Sequence, residues 1–577
     1  MNVHPLIRRT QRAYHEGFKF DQAAFLRQIK EHAHLKEARR ALSKMMTQSK
    51  RIVIFGDYDV DGIFSSYMMY KTIRNMNSDA DVHVILPERS WGYGLSTTAQ
   101  NLITMHHPNV IVLIDNGIKS RAEVELIKNK IKTEVIVIDH HHYTREDLPD
   151  SELIVHPNLF PGIEQACASG IVWALCRPLL REGQDEYDQL AAIGTIADSV
   201  PLKGFNFYLA RHGLLAAEQG NIESVRLLLE ETTRAQVSYG AIEDEWRYHV
   251  IPCFNACGRV HDPQVSFAHL VEPTQESAKL LLRINRERKD LTHRLSLHVA
   301  ESLADRRAPY PHPGVLTYYL PSANVSASAT KVAGVIGLIA QRLSMWYHAP
   351  AIVLTDSPKD DGVLVGSMRV PETWQGASAL EILDRASGLL TRYGGHHYAA
   401  GLGLRLCDLD EFAQCVGQVE AKSLKMRYDV EALLGMMSLI YTDSELQRQL
   451  NVLRPFGHGN PELRLCMPDA YATFISETEN RLIFQVFSND KRCQNIRVSA
   501  NWWINEHCFP PSIAPIALSV LATRQVGLIF TPEFSRDPNS LYACNALRIV
   551  GVRDPGAFAA LVLEETTSRL AVMNKVQ

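Results

Sequence analysis

The chain has 577 residues, of which 46% are apolar, and its 60 basic and 64 acidic side chains leave a formal net charge of −4. That length suggests roughly four domains, and the near-balance of charge excludes a uniformly basic surface, so any phosphate binding must come from a local groove. No apolar stretch is long enough to span a bilayer, residues 1–50 lack a signal-peptide core, and the ten Cys are scattered, so a cytoplasmic protein with reduced thiols and no membrane contact is expected.

Residues 1–50 read as a helical lead-in. Arg51-Ile-Val-Ile-Phe-Gly-Asp-Tyr-Asp-Val-Asp-Gly62 then gives a short apolar strand followed by carboxylates at alternate positions, Asp57, Asp59 and Asp61. Alternate side chains of an extended chain share a face, and three clustered anions repel unless a cation sits among them. Hard oxygen ligands of this kind suit Mg²⁺ or Mn²⁺; a polar turn closing the strand is the other reading. A helix is expected over Ile63–Met76 and another over Leu95–His106. Asn109–Ile114 is a strand running into Asp115, Ser120–Lys132 a crossover helix, and Glu134–Ile138 a strand running into Asp139, His140, His141 and His142. Continuous β-branched runs alternating with helices predict an α/β fold with a doubly wound parallel sheet. Ligands of such sheets sit at the carboxyl ends of the strands, where these acidic and imidazole groups fall. Ala191–Leu202 adds one isolated carboxylate, Asp198. Alone it reads as a helix cap; beside the other clusters it reads as a metal ligand.

These segments, Asp-Tyr-Asp-Val-Asp-Gly, Ile-Asp-Asn-Gly-Ile, Asp-His-His and Gly-Thr-Ile-Ala-Asp-Ser-Val-Pro-Leu, resemble the ordered motifs of the DHH phosphoesterase superfamily. Within it they are most similar to the RecJ family of single-strand-specific 5′→3′ exonucleases. The resemblance implies a DHH domain over 51–215, a helical connector over 216–310, a DHHA1 domain over 311–425, an OB-like barrel over 426–555 and a terminal helix over 556–577.

The second half carries the features that narrow the resemblance to RecJ. Val335–Leu343 reads as a helix, with strands at Ala351–Leu354 and Val363–Val365. Gly366-Ser367-Met368-Arg369 and Tyr393-Gly-Gly-His396-His-Tyr-Ala-Ala-Gly401 are either tight turns or glycine-rich sites for an anion; the second resembles the Gly-Gly-His-x-x-Ala-Ala-Gly signature of DHHA1. Leu453–Pro461 is a turn-rich loop similar to one ahead of the RecJ OB domain. Strands are expected at Arg481–Phe487, Gln494–Ser499, Ile516–Ala522 and Ala543–Val552, and Lys491, Arg492, Arg497, Trp502 and Trp503 are candidates for a strand-binding surface. There are also departures. Lys331–Gly337 lacks the His of the usual DHHA1 opening, Pro252–Arg259 reads Pro-Cys-Phe-Asn-Ala-Cys-Gly-Arg, and His156 replaces a polar amide. Cys253 and Cys257, without a second pair, are expected to be buried thiols rather than zinc ligands.

Phosphodiester hydrolysis by two divalent ions needs one bridging carboxylate, and Asp115, alone on its strand end, is the candidate. The resemblance implies one ion on Asp61, Asp115, His140 and Asp198, and a second on Asp59 and Asp115 with Asp57 direct or through water. It further implies His141 facing the substrate phosphate, with Asp139 orienting an imidazole. Mixed His and Asp ligation favours Mn²⁺, with Mg²⁺ also competent. Arg89, Asn255, Arg259, Ser367, Arg369, Gly395 and His396 are the implied substrate-binding residues, with Arg suited to a terminal 5′ phosphate. Single-stranded DNA is the expected partner, with single-strand-binding protein and a RecQ-type helicase by family association, and DNA repair and recombination the expected setting. Two other readings remain: a phosphodiesterase of short oligonucleotides or cyclic dinucleotides, and a non-catalytic DNA-binding scaffold, which would be expected to lose ligands.

Overall fold

The computed structural model describes residues 21–92, 94–160, 162–233, 242–305, 313–371, 374, 376–419, 432–433, 454–462, 465–477, 481–488, 498–503, 514–524, 526–534 and 544–552. It divides into two compact units, Arg9–Glu287 with Leu450–Glu462, and Met1–Arg8 with Arg288–Gln449 and Leu463–Gln577.

The first unit is built on five parallel strands, β1 (Arg51–Phe55), β2 (Asp81–Ile85), β3 (Val110–Ile114), β4 (Glu134–Ile138) and β5 (Leu153–Val155). Their order is β2-β1-β3-β4-β5, every pair parallel. The apolar runs behave as their composition demands: β3 is buried throughout, and β1 and β4 beyond their first residue. One layer of core joins Val53, Phe55, Ile111 and Val137 to Ile103 and Ile127, which belong to the helices Thr97–Met105 and Arg121–Lys130. The helix Val60–Met76 starts within the first acidic motif and is buried along most of its length. It packs with the helices Ala168–Cys176 and Gln184–Ala197. Strand order reverses between β1 and β3, so the crevice expected to take ligands lies where Asp57 and Asp115 emerge.

The region expected to be helical includes Ile251–Val260, Gln264–Val271 and the 31-residue helix Gln275–Asp305. Cys253 and Cys257 are buried thiols, and the Cys253 thiol donates to the His249 carbonyl at 3.0 Å.

The second unit holds a mixed sheet, β6 (Leu316–Tyr319), β7 (Ala351–Asp356), β8 (Val363–Arg369), β9 (Leu390–Gly395) and β10 (Ala399–Arg405), ordered β6-β7-β8-β10-β9. The segment Gly366–Arg369 is not a turn: it completes β8, between β7 and β10. Further on come β11 (Ala432–Leu433), β12 (Leu465–Glu477), β13 (Arg481–Ser488), β14 (Val498–Trp503), β15 (Val526–Phe534) and β16 (Cys544–Val552). Because β12 pairs with both β13 and β15, the strands β12-β13-β14-β16-β15 join into a ring. The strand expected at Ile516–Ala522 is instead part of the helix Ala514–Thr523. Pro515 suits the first turn of a helix, and the buried Ala517, Val520 and Leu521 recur at helical rather than alternating spacing. Lys491, Arg492, Arg497 and the expected terminal helix lie outside the described residues, as do the side chains of Trp502 and Trp503.

Candidate metal centre

Three loops at the carboxyl ends of β1, β3 and β4, and one helix end, deliver the acidic and imidazole groups to a common point. The first loop runs straight into the helix Val60–Met76. Asp59 is the residue that caps it, accepting from Gly62 N at 3.2 Å, as a short acidic side chain at a helix N-terminus should. Asp61, 1% exposed, accepts from Ala168 N and Ser169 N, both at 2.8 Å, and so holds the start of the helix Ala168–Cys176. Gly62 is required by proximity, since a Cβ there would lie 2.6 Å from Asp57 N. Asp57 itself is nearly buried and accepts from Tyr58 N at 2.7 Å.

Asp115 follows β3 with φ +61°, a left-handed backbone that Asp tolerates and that concentrates at functional sites. Its Oδ1 is buried and, among the described residues, makes no hydrogen bond of good geometry, lying 3.2 Å from His140 Nε2. That nitrogen is also 3.8 Å from Asp198 Oδ2 and 4.0 Å from Asp61 Oδ2. Asp198 ends the helix Gln184–Ala197 as its C-cap, which puts the carboxylate of that helix end beside His140.

Asp139 organises the imidazole loop. Its Oδ1 accepts from His140 N at 2.7 Å, His141 N at 3.1 Å and His141 Nδ1 at 2.8 Å, while Oδ2 accepts from Ile118 N at 3.0 Å. His156, in place of an amide, still ties this loop down: its Nε2 donates to the His141 carbonyl at 3.0 Å and its Nδ1 accepts from Asn158 N. His142 is exposed on the same loop.

Burial and mutual repulsion govern the electrostatics of the cluster. Burial, then the neighbouring Asp59, pushes Asp57 up to about 7, and burial with Asp61 raises Asp59. Asp115 rises well above the usual carboxylate range through burial and the charges of Asp61 and Asp59. Burial takes Asp198 to about 7 although His140 opposes it. Burial works against a charge on His140, yet Asp198 and Asp61 raise it. His141 reaches about 9 against burial, through its hydrogen bond to Asp139, and the same bond overcomes burial to hold Asp139 below its ordinary range. The group as a whole therefore takes up protons when no cation is supplied.

Donor atoms of Asp115, His140 and His141 lie within 4.8 Å of one another, as do those of Asp61, Cys167 and Asp198. The buried Asp115 oxygen and this convergence of carboxylate and imidazole donors fit a hard or borderline divalent cation. Cys167 was not foreseen from the sequence. It is fully buried, burial keeps its thiol neutral, and nothing in its apolar surroundings in the sequence distinguishes it from a core residue.

Of the expected substrate-binding residues, three sit beside this cluster. Arg89 donates from Nε to the Gly258 carbonyl at 2.8 Å and lies over the Tyr58 ring. Asn255 Oδ1 accepts from Val60 N at 3.0 Å, so that side chain supports the acidic loop. Arg259 acts on Tyr58 electrostatically. Ser367, Arg369, Gly395 and His396 belong to the second unit. There Arg369 Nη1 donates to Ser367 Oγ at 2.9 Å and to the Met368 carbonyl, and Gly337 leaves room for both side chains, its would-be Cβ lying 3.0 Å from each. Gly395 is needed where the backbone meets the Ala399 carbonyl, and His396 N donates to that same carbonyl at 2.7 Å.

The N-terminal domain of the DHH family matches residues 51–198, the stretch that carries the parallel sheet and this acidic and imidazole cluster. The single-stranded-DNA-specific exonuclease RecJ of Salmonella typhimurium is 30% identical over 446 residues, covering 72% of this chain and 74% of that protein. The RecJ of Bacillus subtilis is 30% identical over 457 residues, 76% of this chain; the match spans only 54% of that longer relative. The crystal structure of RecJ in complex with Mn²⁺ from Thermus thermophilus aligns with a TM-score of 0.66 at 25% identity, over 91% of this chain and 72% of that one. The chain belongs to the RecJ family.

Proposed function

We propose that this protein is a metal-dependent 5′→3′ exonuclease that hydrolyses single-stranded DNA to 5′-mononucleotides. The observation that carries the reading is the meeting of Asp61, Asp115, His140 and Asp198 at the switch point of the parallel sheet. Those four would hold one divalent ion; Asp59 and Asp115, with Asp57, would hold a second. RecJ structures containing Mn²⁺ and Mg²⁺ support the same cations here. When bound, such ions lower the pKa of a water nucleophile and offset charge on the phosphoryl oxygens.

The protein's own groups do the rest. Asp139 fixes the His141 ring through Nδ1, and the Nε2 of that ring would donate to a phosphate oxygen. Burial of the carboxylates excludes water that would screen them. Arg89 and Arg259, beside Tyr58, supply positive charge next to the acidic loop. Arg369, with Ser367, has no carboxylate partner among the described residues, which suits capture of a terminal 5′ phosphate, with Gly395 at the end of β9 and His396 in the turn that follows it contributing.

The mixed sheet of β6–β10 is read as a DHHA1 domain and the ring of β12–β16, five strands with one helix between β14 and β15, as an OB-like barrel that binds single strands. With that reading the proposed boundaries are 1–50, 51–215, 216–310, 311–425, 426–555 and 556–577, although the segment Leu450–Glu462 packs with the first unit. Single-strand-binding protein, a RecQ-type helicase and a cytoplasmic setting are proposed with it; no helix among the described residues is long and apolar enough to cross a membrane. The test is digestion of 5′- and 3′-end-labelled single-stranded DNA, RNA and short oligomers with Mn²⁺ or Mg²⁺. Mononucleotides released first from the 5′ end of DNA are expected, and equal loss of both labels would overturn the polarity.

A further inference from the structure

The turn-rich loop Leu453–Pro461 comes some 250 residues after the metal-centre motifs, yet its described part, Arg454 to Pro461, packs within the first unit, directly on the residues that follow Asp198. Three kinds of contact hold it there. The loop is stapled to itself by Gly457 N to the Asn460 carbonyl at 2.8 Å, Asn460 N to the Gly457 carbonyl at 3.0 Å, and Asn460 Nδ2 to the Pro455 carbonyl at 2.7 Å. It is anchored behind by Arg454 to the buried Glu243 and by Arg247 to the Phe456 carbonyl. In front it grips the segment Ser199–Leu202: Leu202 N donates to the His458 carbonyl at 2.7 Å, and His458 Nδ1 donates to the Ser199 carbonyl at 3.0 Å.

The gripped segment needs holding. Ser199 adopts φ +60°, an unfavourable backbone for that residue which persists only where surroundings over-determine it. Asp198 precedes it as the C-cap of the helix Gln184–Ala197. The fit is close: a Cβ on Gly457 would lie 2.8 Å from Leu202 Cδ1, and one on Gly459, which has φ +77°, would lie 3.2 Å from Pro201 Cβ.

We propose that the loop 454–462 is a strap that positions Asp198 for the metal, with His458 as its positioning residue. The inference rests on Asp198 being a ligand, as read above. It gives the loop a role in metal affinity, not in substrate contact: with the Ser199 turn clamped from both ends, the Asp198 carboxylate is presented in one orientation. Residues that orient ligands in this indirect way change metal affinity by roughly ten- to a hundredfold when removed.

The test is Mn²⁺ binding to the metal-stripped full-length protein, read as loss of the aqueous Mn²⁺ paramagnetic resonance signal, beside the thermal melt of the metal-free form. His458→Ala and Gly459→Val are expected to weaken Mn²⁺ binding by roughly tenfold or more, and His458→Asn, which retains a donor, to restore it. The metal-free melt of His458→Ala should match that of the parent chain. Asp198→Asn is the control. If it leaves Mn²⁺ binding intact, the ligand assignment fails. If it weakens binding while His458→Ala and Gly459→Val do not, the strap alone is overturned.

Discussion

Asp115 combines a left-handed backbone, near-complete burial and an oxygen that, among the described residues, makes no hydrogen bond of good geometry. A local strain of about 1–3 kcal/mol is tolerated there because the loop after β3 must aim the carboxylate at His140. Asp115→Ala is therefore expected to abolish Mn²⁺-dependent nucleotide release, measured on 5′-labelled DNA; retained turnover would remove Asp115 from the site. The titration of its neighbours gives a second expectation. Asp57 and Asp198 sit at about 7 in the metal-free fold, against about 3.9 for an unfolded Asp. The folded state binds those protons more tightly, so the metal-free fold loses stability as pH rises from about 4 towards 7. Mn²⁺ must displace the same protons, so its affinity rises over that interval. Melting curves with and without Mn²⁺ should show a larger stabilisation at about pH 8 than at about pH 5; a pH-independent difference would contradict the assignment.

Among the secondary-structure elements, the sequence was most readable where burial dictates composition. The runs forming β1, β3 and β4 admit little but strands covered on both faces, and the acidic residues at their ends followed in register. Ile516–Ala522 misled because a short Ile/Val-bearing run is ambiguous until its spacing of buried positions is weighed. Asp198 admitted two readings from the sequence because a carboxylate at a helix end is compatible with either a cap or a ligand. The seat of the loop 454–462, and the place of Cys167 beside Asp61, depend on contacts between distant parts of the chain and carry no local pattern. Two expectations belong at this level. A Cβ on Gly258 would meet the Tyr58 carbonyl at 2.2 Å, so Gly258→Ala should push the helix Ile251–Val260 off the acidic loop, costing about 1–3 kcal/mol by overpacking and lowering activity, read by thermal melt and nucleotide release. On β8, Ser367 and Arg369 share one face; Arg369→Ala should reduce discrimination for 5′-phosphorylated over 5′-hydroxyl ends by roughly ten- to a hundredfold, the worth of a charged hydrogen bond, and unaltered discrimination would place the end-binding site elsewhere.

At the scale of the molecule, the ring of β12–β16 begins at Leu465, just after the strap ends. A deletion meant to remove this ring of strands should therefore start at residue 465. Such a chain is expected to bind single strands more weakly, by filter binding or anisotropy, while cleaving a bound short oligomer at a near-parental rate. Unchanged affinity would dissociate the ring β12–β16 from strand binding.

Asp59 and Asp61 each rest on backbone amides at the start of a helix, Gly62 N for one and Ala168 N with Ser169 N for the other. Part of their charge is answered by the polypeptide itself, before any ion arrives. A chelator should therefore strip this protein reversibly to an ordered, inactive scaffold that can be reloaded, unlike small zinc modules that collapse when emptied.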